Sequence, residues 1–208
     1  MARSLRPYGP GTARFSSCET WRYELTRDLS AQPFKRKRSG VLLSIGLNPS
    51  TATCDDDDPT VHKESGLALA WGYSMYIKTN AYGFRAMEPS DMFAARDRGI
   101  DIVGPENDAA ICAGLARVAS EGGRVLAAWG QNIDFERQRE VAQLVKGVRV
   151  LCVAINKDGS PGHPLYRRVG RLLRWTCPRA RERLGHSRGA KRVVDHDEPL
   201  PAVLTHDV

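Results

Sequence analysis

The chain has 208 residues, with 31 Lys and Arg against 24 Asp and Glu, for a formal charge of +7. That length suits one medium domain with ragged ends and a real buried core. The basic excess tilts its partners toward polyanions such as nucleic acid.

Five cysteines (Cys18, Cys54, Cys112, Cys152 and Cys177) are widely spaced and form no C-x-x-C pair. This pattern argues against a disulfide framework, a zinc ribbon and an iron–sulfur cluster. Cys112 and Cys152 lie in apolar stretches and are expected as small core residues. No N-terminal apolar segment resembles a leader, and no run approaches the ~20 apolar residues of a membrane helix. A cytoplasmic, reduced protein without a membrane contact is therefore expected.

Residues 1–12, "MARSLRPYGPGT", are rich in proline, glycine and arginine and predict a flexible arm. "TWRYELTRDL" alternates Trp21, Tyr23 and Leu25, as a half-buried strand does. The basic link "KRKRSG" then leads into "VLLSIG", short and apolar like a central strand buried on both faces. Next come a helix in "VHKESGLALAWG", a strand "SMYIKTN" ending at Asn80, and a short helix "PSDMFAARD" capped by Ser90. "NDAAICAGLARVASEGG" places Ile111, Leu115 and Val118 on one helical face, with a stop at Gly122. "RVLAAWG" is a third buried strand, "DFERQREVAQLVKG" a helix and "VRVLCVAIN" a fourth strand. "PLYRRVGRLLRW" predicts a closing basic helix.

Strands alternating with helices predict a three-layer α/β/α sandwich with a mainly parallel central sheet. The expected organisation is an arm over 1–12, a single α/β domain over 13–175 and a basic, disordered tail over 176–208. In such sheets ligands bind beyond the carboxyl ends of the strands. Four loops meet there: "LNPSTA", "AYGFRAMEP", "GQN" and "NKDGSPGHPLY".

The stretch "GLNPSTATCDDDDPT", residues 46–60, admits several readings. It contains no Walker loop, no G-x-G-x-x-G and no G-x-S-x-G. A Ser50–His163 nucleophile pair has no other feature behind it. Asp58 followed by Pro59 fits an N-cap with proline at the first helical position. The sharper alternative, a metal-dependent hydrolase or transferase using the Asp55–Asp58 run, requires adjacent carboxylates to converge on one ion. Cap and solvated loop are favoured, so no metal is expected. His163, between Gly162 and Pro164, is the one histidine in a strand-end loop; His62 falls in a first helical turn, and His186, His196 and His206 in the tail. Trp71, Trp129 and Tyr82 are either core or base-stacking aromatics. Arg167, Arg168, Arg171 and Arg174 are either a solvated basic face or phosphate contacts.

"FSSCETWRYELTR", "LNPSTA", "DDPT", "WGY", "VGPEND", "AAWG" and "HPLY", in this order, closely resemble the bacterial and phage domain-of-unknown-function 1643 family. More distantly, the order of elements is similar to the uracil-DNA glycosylase superfamily. There a G-x-N-P-type loop, a strand-end asparagine, a leucine-glycine-like turn and a histidine-proline loop follow one another. "GLNP", "TNAYGFRAMEP", "AAWG" and "HPLY" resemble these. The resemblance implies a glycosylase-like hydrolase acting on an N-glycosidic bond of a pyrimidine, modified or not, in DNA or a nucleotide. Asn48 would hold the water, Asn80 would read the flipped base and His163 would stabilise the departing base. Gly46, Pro49, Ser50, Arg85, Trp129, Gly130, Pro164 and Tyr166 would line the substrate, and Arg167, Arg168 and Arg171 would grip phosphates. DNA or a nucleotide is the expected partner, with no cofactor; no oligomeric state is implied. A binding module that kept the crevice without catalysis is the non-enzymatic alternative. The sequence departs from the superfamily in lacking a second proline in "HPLY" and an aromatic after "LNPSTA".

Overall fold

A computed structural model describes residues 5–33 and 39–178. Residues 35–38 of the basic link lie outside the described residues. So does the tail beyond Pro178, with its three histidines.

Among the described residues, seven strands form one mixed sheet in the order β1-β2-β4-β3-β5-β6-β7. They are β1 Ala13–Phe15, β2 Arg22–Asp28, β3 Val41–Gly46, β4 Met75–Asn80, β5 Gly123–Ala127, β6 Val150–Cys152 and β7 Leu173–Arg174. The helices are α1 Pro59–Ala70, α2 Pro89–Asp97, α3 Asn107–Glu121 and α4 Phe135–Leu144. Strands β4, β3, β5 and β6 run parallel to one another. The expectation of a mainly parallel sheet fails at both edges, where β1, β2 and β7 are antiparallel. A parallel neighbour needs a long crossover on a sheet face. Among its described residues, the segment between β2 and β3 contains no crossover helix.

The period of two along the strands separates two cores. Val41, Leu43 and Ile45 of β3 pack with Met92 of α2, Ile111 of α3 and Val141 of α4. Leu42, Tyr76 and Leu126 face the other way, against Val61 and Ala68 of α1 and Leu25 of β2. Each such buried side chain contributes about 1.5–3 kcal/mol of transfer free energy. Helices thus cover both faces, with α1 the one α-helix on its face among the described residues. Leu115 and Val118 pack against the same core as Ile111, as the helical spacing predicts, and Gly122 ends α3 at φ 74°.

Several local expectations are corrected. The basic closing helix does not form. A single 3-10 turn over Pro164–Tyr166 is followed by extended chain into β7, which pairs with the edge of β6. Gly170 weakens a helix there by about 1 kcal/mol. Buried Trp175 packs edge-on to Trp129 at 4.9 Å and fixes the segment across the sheet edge. In α2 the N-cap is Glu88, because Pro89 takes the first helical position and pushes Ser90 inside the turn. Cys112 is exposed on α3, whereas Cys152 is buried, and burial raises its thiol to about 12. The described part of the N-terminal arm lies along β2. Asp28 N–H donates to Pro10 O at 2.7 Å, Leu5 bridges Asp57, and Tyr8 stacks on His62 at 4.5 Å.

Candidate functional site

Strands β3 and β4 end together, with Gly46 opposite Asn80. Beyond them the two loops are joined. Ala81 N–H donates to Gly46 O, Tyr82 N–H to Leu47 O and Ala86 N–H to Pro49 O, all at 2.8–2.9 Å. Asn48 completes the joint, its Nδ2 donating to Pro49 O at 3.0 Å and Ala86 O at 2.9 Å. Its Oδ1 is the side-chain atom left to accept a hydrogen bond.

Asn80 is only 1% exposed, and neither Oδ1 nor Nδ2 has a partner among the described residues. Its backbone is nevertheless fixed. Asn107 Nδ2 donates to Asn80 O at 2.9 Å, and Arg137 Nε donates to Ala81 O at 2.7 Å. A buried polar atom without a partner costs about 1–3 kcal/mol. A carboxamide held in this way is matched to a ligand or water that supplies both a donor and an acceptor.

Beneath Asn80 lies a buried ionic cluster. Lys78 Nζ is 2.7 Å from Glu64 Oε2, and that oxygen also accepts from Ser44 Oγ and Tyr76 OH, each at 2.7 Å. Burial opposes ionisation of Glu64, but the Lys78 charge and the hydrogen bonds from Lys78, Ser44 and Tyr76 outweigh it and hold the carboxyl below its usual range. The pair therefore places a satisfied cation close to the strand ends.

His163 closes the cluster from the loop after β6. A Cβ on Gly130 would lie 3.5 Å from His163 Cβ, so the β5 and β6 loops abut. Its Nδ1 accepts from Leu165 N–H at 3.3 Å, which leaves Nε2 as the protonated nitrogen of the neutral ring. Burial lowers its pKa, Lys78 and Lys63 push the same way, and Glu64 and Asp58 oppose them. The ring is therefore a neutral N–H donor at neutral pH. Lys63 of α1 steadies this loop through Leu165 O at 3.1 Å and Arg167 O at 3.0 Å.

Gly46, Asn48, Asn80, Gly130 and His163 thus gather at one edge, with Pro49 and Pro164 buried beside them and Ser50 half-buried. Other expected site residues do not join them. The Trp129 ring is in the core on the α2–α4 face, donating to Gln138 Oε1, so its side chain cannot line the substrate. Tyr82 is spent there too, donating to Asp134 Oδ2 at 2.8 Å. Arg85 donates to Glu19 O at 3.0 Å and lies over Phe15. Arg167 is tied to Asn156 Oδ1 at 2.9 Å, while Arg168 and Arg171 are exposed on the extended segment. Tyr166 is 80% exposed, with its ring 5.3 Å from that of His163.

The aspartate run is divided among separate tasks. Asp58 Oδ1 caps α1 by accepting from Val61 N–H at 2.8 Å, as the sequence predicts. Asp57 is buried against Arg27, whose Nη2 is 2.7 Å from Oδ1. Asp55 and Asp56 are exposed. Among the described residues, no three His, Cys, Asp or Glu side chains are grouped to hold a metal ion.

Glu64, Lys78, Ser44 and the buried arginines Arg22 and Arg27 are absent from the sequence-based site. The available signal was charge inside apolar elements: Lys78 in "MYIKTN" and Glu64 in "VHKESGLALA".

The family described as "Protein of unknown function (DUF1643)" matches residues 22–165, well over half of the chain. The chain belongs to this family. The match runs from Arg22 through Leu165 and so spans every residue of the edge cluster. No curated protein and no solved structure matches the chain. No helix among the described residues is long and apolar enough to cross a membrane.

Proposed function

We propose that this strand edge binds a nucleobase and that the protein is a glycosylase-like hydrolase on a uracil-DNA glycosylase-like fold. Its bond would be the N-glycosidic bond of a pyrimidine, modified or not, in DNA or a nucleotide. The observation that carries the reading is Asn80: a rigid, buried carboxamide with donor and acceptor both unpartnered. Such a group complements the imide edge of a pyrimidine, which offers an N–H beside a carbonyl.

The other groups fit around it. A water accepted by Asn48 Oδ1 adds to the sugar C1′ as the C1′–N bond breaks and its electron pair leaves with the base. His163 Nε2–H donates to the negative charge growing on that base, and the water's proton finally neutralises it. Preorganised donors in a dry site are the largest source of such stabilisation. With Trp129 and Tyr82 committed to the core, stacking falls to Tyr166. Arg168 and Arg171, both exposed, would meet phosphates. A metal-dependent reading finds no support in the geometry, since Asp57 and Asp58 are occupied by Arg27 and by the α1 terminus.

The test is a panel of single- and double-stranded oligonucleotides and nucleotides with normal, damaged and modified pyrimidines, read by mass spectrometry. Released base and an abasic product are expected with wild type. Asn48→Ala and His163→Ala should each slow release by about 10²-fold or more. A panel without any released base sinks the proposal, as does full activity in both variants.

A further inference from the structure

Arg22 begins β2 and is 1% exposed. Among the described residues its guanidinium makes one hydrogen bond, from Nη1 to Ala52 O at 2.6 Å, and its Nε is buried without a partner. The carboxylate that acts on it most is Asp58, which is already capping α1. Burial pulls the guanidinium down to about 10, and the neighbouring charges of Arg85 and Arg27 add to the strain. Arg27 is matched by Asp57. Arg85 is half-buried and donates to Glu19 O at 3.0 Å, but its buried Nε has no partner among the described residues and its ion pair, with exposed Glu19, is long at 3.7 Å.

An isolated buried cation is costly, and proteins keep one when it is paired or has a ligand to meet. Here Arg22 is such a cation, and half-buried Arg85 lies on the other side of the same loop, "NPSTA". Arg22 holds its far end through Ala52 O, and Ala86, next to Arg85, bonds Pro49 at its near end. Ser50 and Thr51 lie between and add hydroxyl donors. The same loop starts at Asn48, so the arginines stand beside the base-binding edge. A guanidinium presents its N–H groups as a rigid fork that fits phosphate oxygens, and phosphate supplies the missing negative charge.

We propose that Arg22 and Arg85, on either side of the NPSTA loop, bind the phosphate of a nucleotide phosphomonoester. The anion site stands on the arginines alone; that a nucleotide carries the phosphate rests on the base-binding reading above.

Inorganic phosphate is titrated into the full chain at constant ionic strength against chloride, following arginine Nε–H resonances by NMR and the thermal midpoint. The Arg22 Nε–H peak, assigned by its loss in Arg22→Lys, is expected to move, and the midpoint to rise. Arg22→Lys, which keeps charge but loses the fork, should weaken phosphate at least tenfold, while Arg139→Gln on exposed α4 should not. An unmoved Arg22 peak, or wild-type affinity in Arg22→Lys, overturns the site. A pyrimidine nucleoside monophosphate should bind at least tenfold tighter than its nucleoside. Equal affinities overturn the nucleotide assignment, and a duplex oligonucleotide that outcompetes the monophosphate overturns the monoester. Phosphate binding at Arg22 without any nucleoside binding removes the base reading and leaves the anion site standing; nucleoside binding with an unmoved Arg22 peak does the reverse.

Discussion

Gly46 and Asn80 end neighbouring strands so closely that a Cβ on Gly46 would lie 2.7 Å from Asn80 Oδ1 and 2.6 Å from Lys78 Nζ. The glycine is thus required by space rather than by its backbone angles. Gly46→Ala forces Asn80 or Lys78 to shift, and overpacking of this kind costs about 1–3 kcal/mol. A fall in the thermal midpoint is expected, by about 2–4 °C for each kcal/mol in a chain of this size. Nucleobase affinity should fall with it. An unchanged midpoint would show that the strand ends part more readily than they do in this packing.

The Lys78–Glu64 pair predicts strong coupling. Removing one partner leaves the other charge buried and unpaired, which costs about 3–5 kcal/mol. Lys78→Met and Glu64→Gln are each expected to destabilise on that scale. The double variant should recover most of the loss, because no lone charge remains. Additive losses in denaturant melts would contradict the cluster.

The aspartate run makes a graded prediction. Asp58→Ala removes the α1 cap and should cost about 0.5–2 kcal/mol. Asp57→Asn leaves buried Arg27 without its counter-charge and should cost more, about 3–5 kcal/mol. Asp55→Asn, on the exposed part of the loop, should leave the midpoint unchanged. Equal losses at the three positions, or a midpoint that rises with Mg2+ only when Asp55 is present, would argue for an ion instead.

His163 sets a pH dependence. Its folded pKa lies below the ordinary histidine value of 6.5, chiefly because the ring is partly buried. Above pH 6.5 the ring is neutral in both states, and its full contribution to stability is present. As pH falls from 6.5 through the folded pKa, the unfolded chain takes up the proton first and that contribution is lost. Melts from pH 8 to 5 should show a decline in wild type that is reduced in His163→Gln. Identical profiles would remove the histidine from this role.

Much of the fold was legible. The short apolar run "VLLSIG" and the run "MYIKTN" after it read as strands, and the helical spacing of Ile111, Leu115 and Val118 reports the face that α3 buries. That Asn80 and His163 meet at one edge was legible because strand-end loops of parallel strands converge by topology, whatever their sequence. Trp129 was misplaced because a strand's alternation says which residues share a face, not which face holds the site. The closing segment was misjudged because its arginines and leucines suit a helix locally, while pairing with β6 and the burial of Trp175 decide otherwise.

By itself, the sequence determined the order of strands and helices from β2 to β6, the Asp58 cap and the loops that meet at one edge, since each follows from local periodicity and chain connectivity. Only the tertiary structure decided which charges are spent and which are held in reserve. Lys78 meets Glu64 and Arg27 meets Asp57 across different elements, whereas Asn80 and Arg22 are buried with polar atoms that have no partner among the described residues. A pairing of that kind depends on distances between elements, and local sequence carries no record of them.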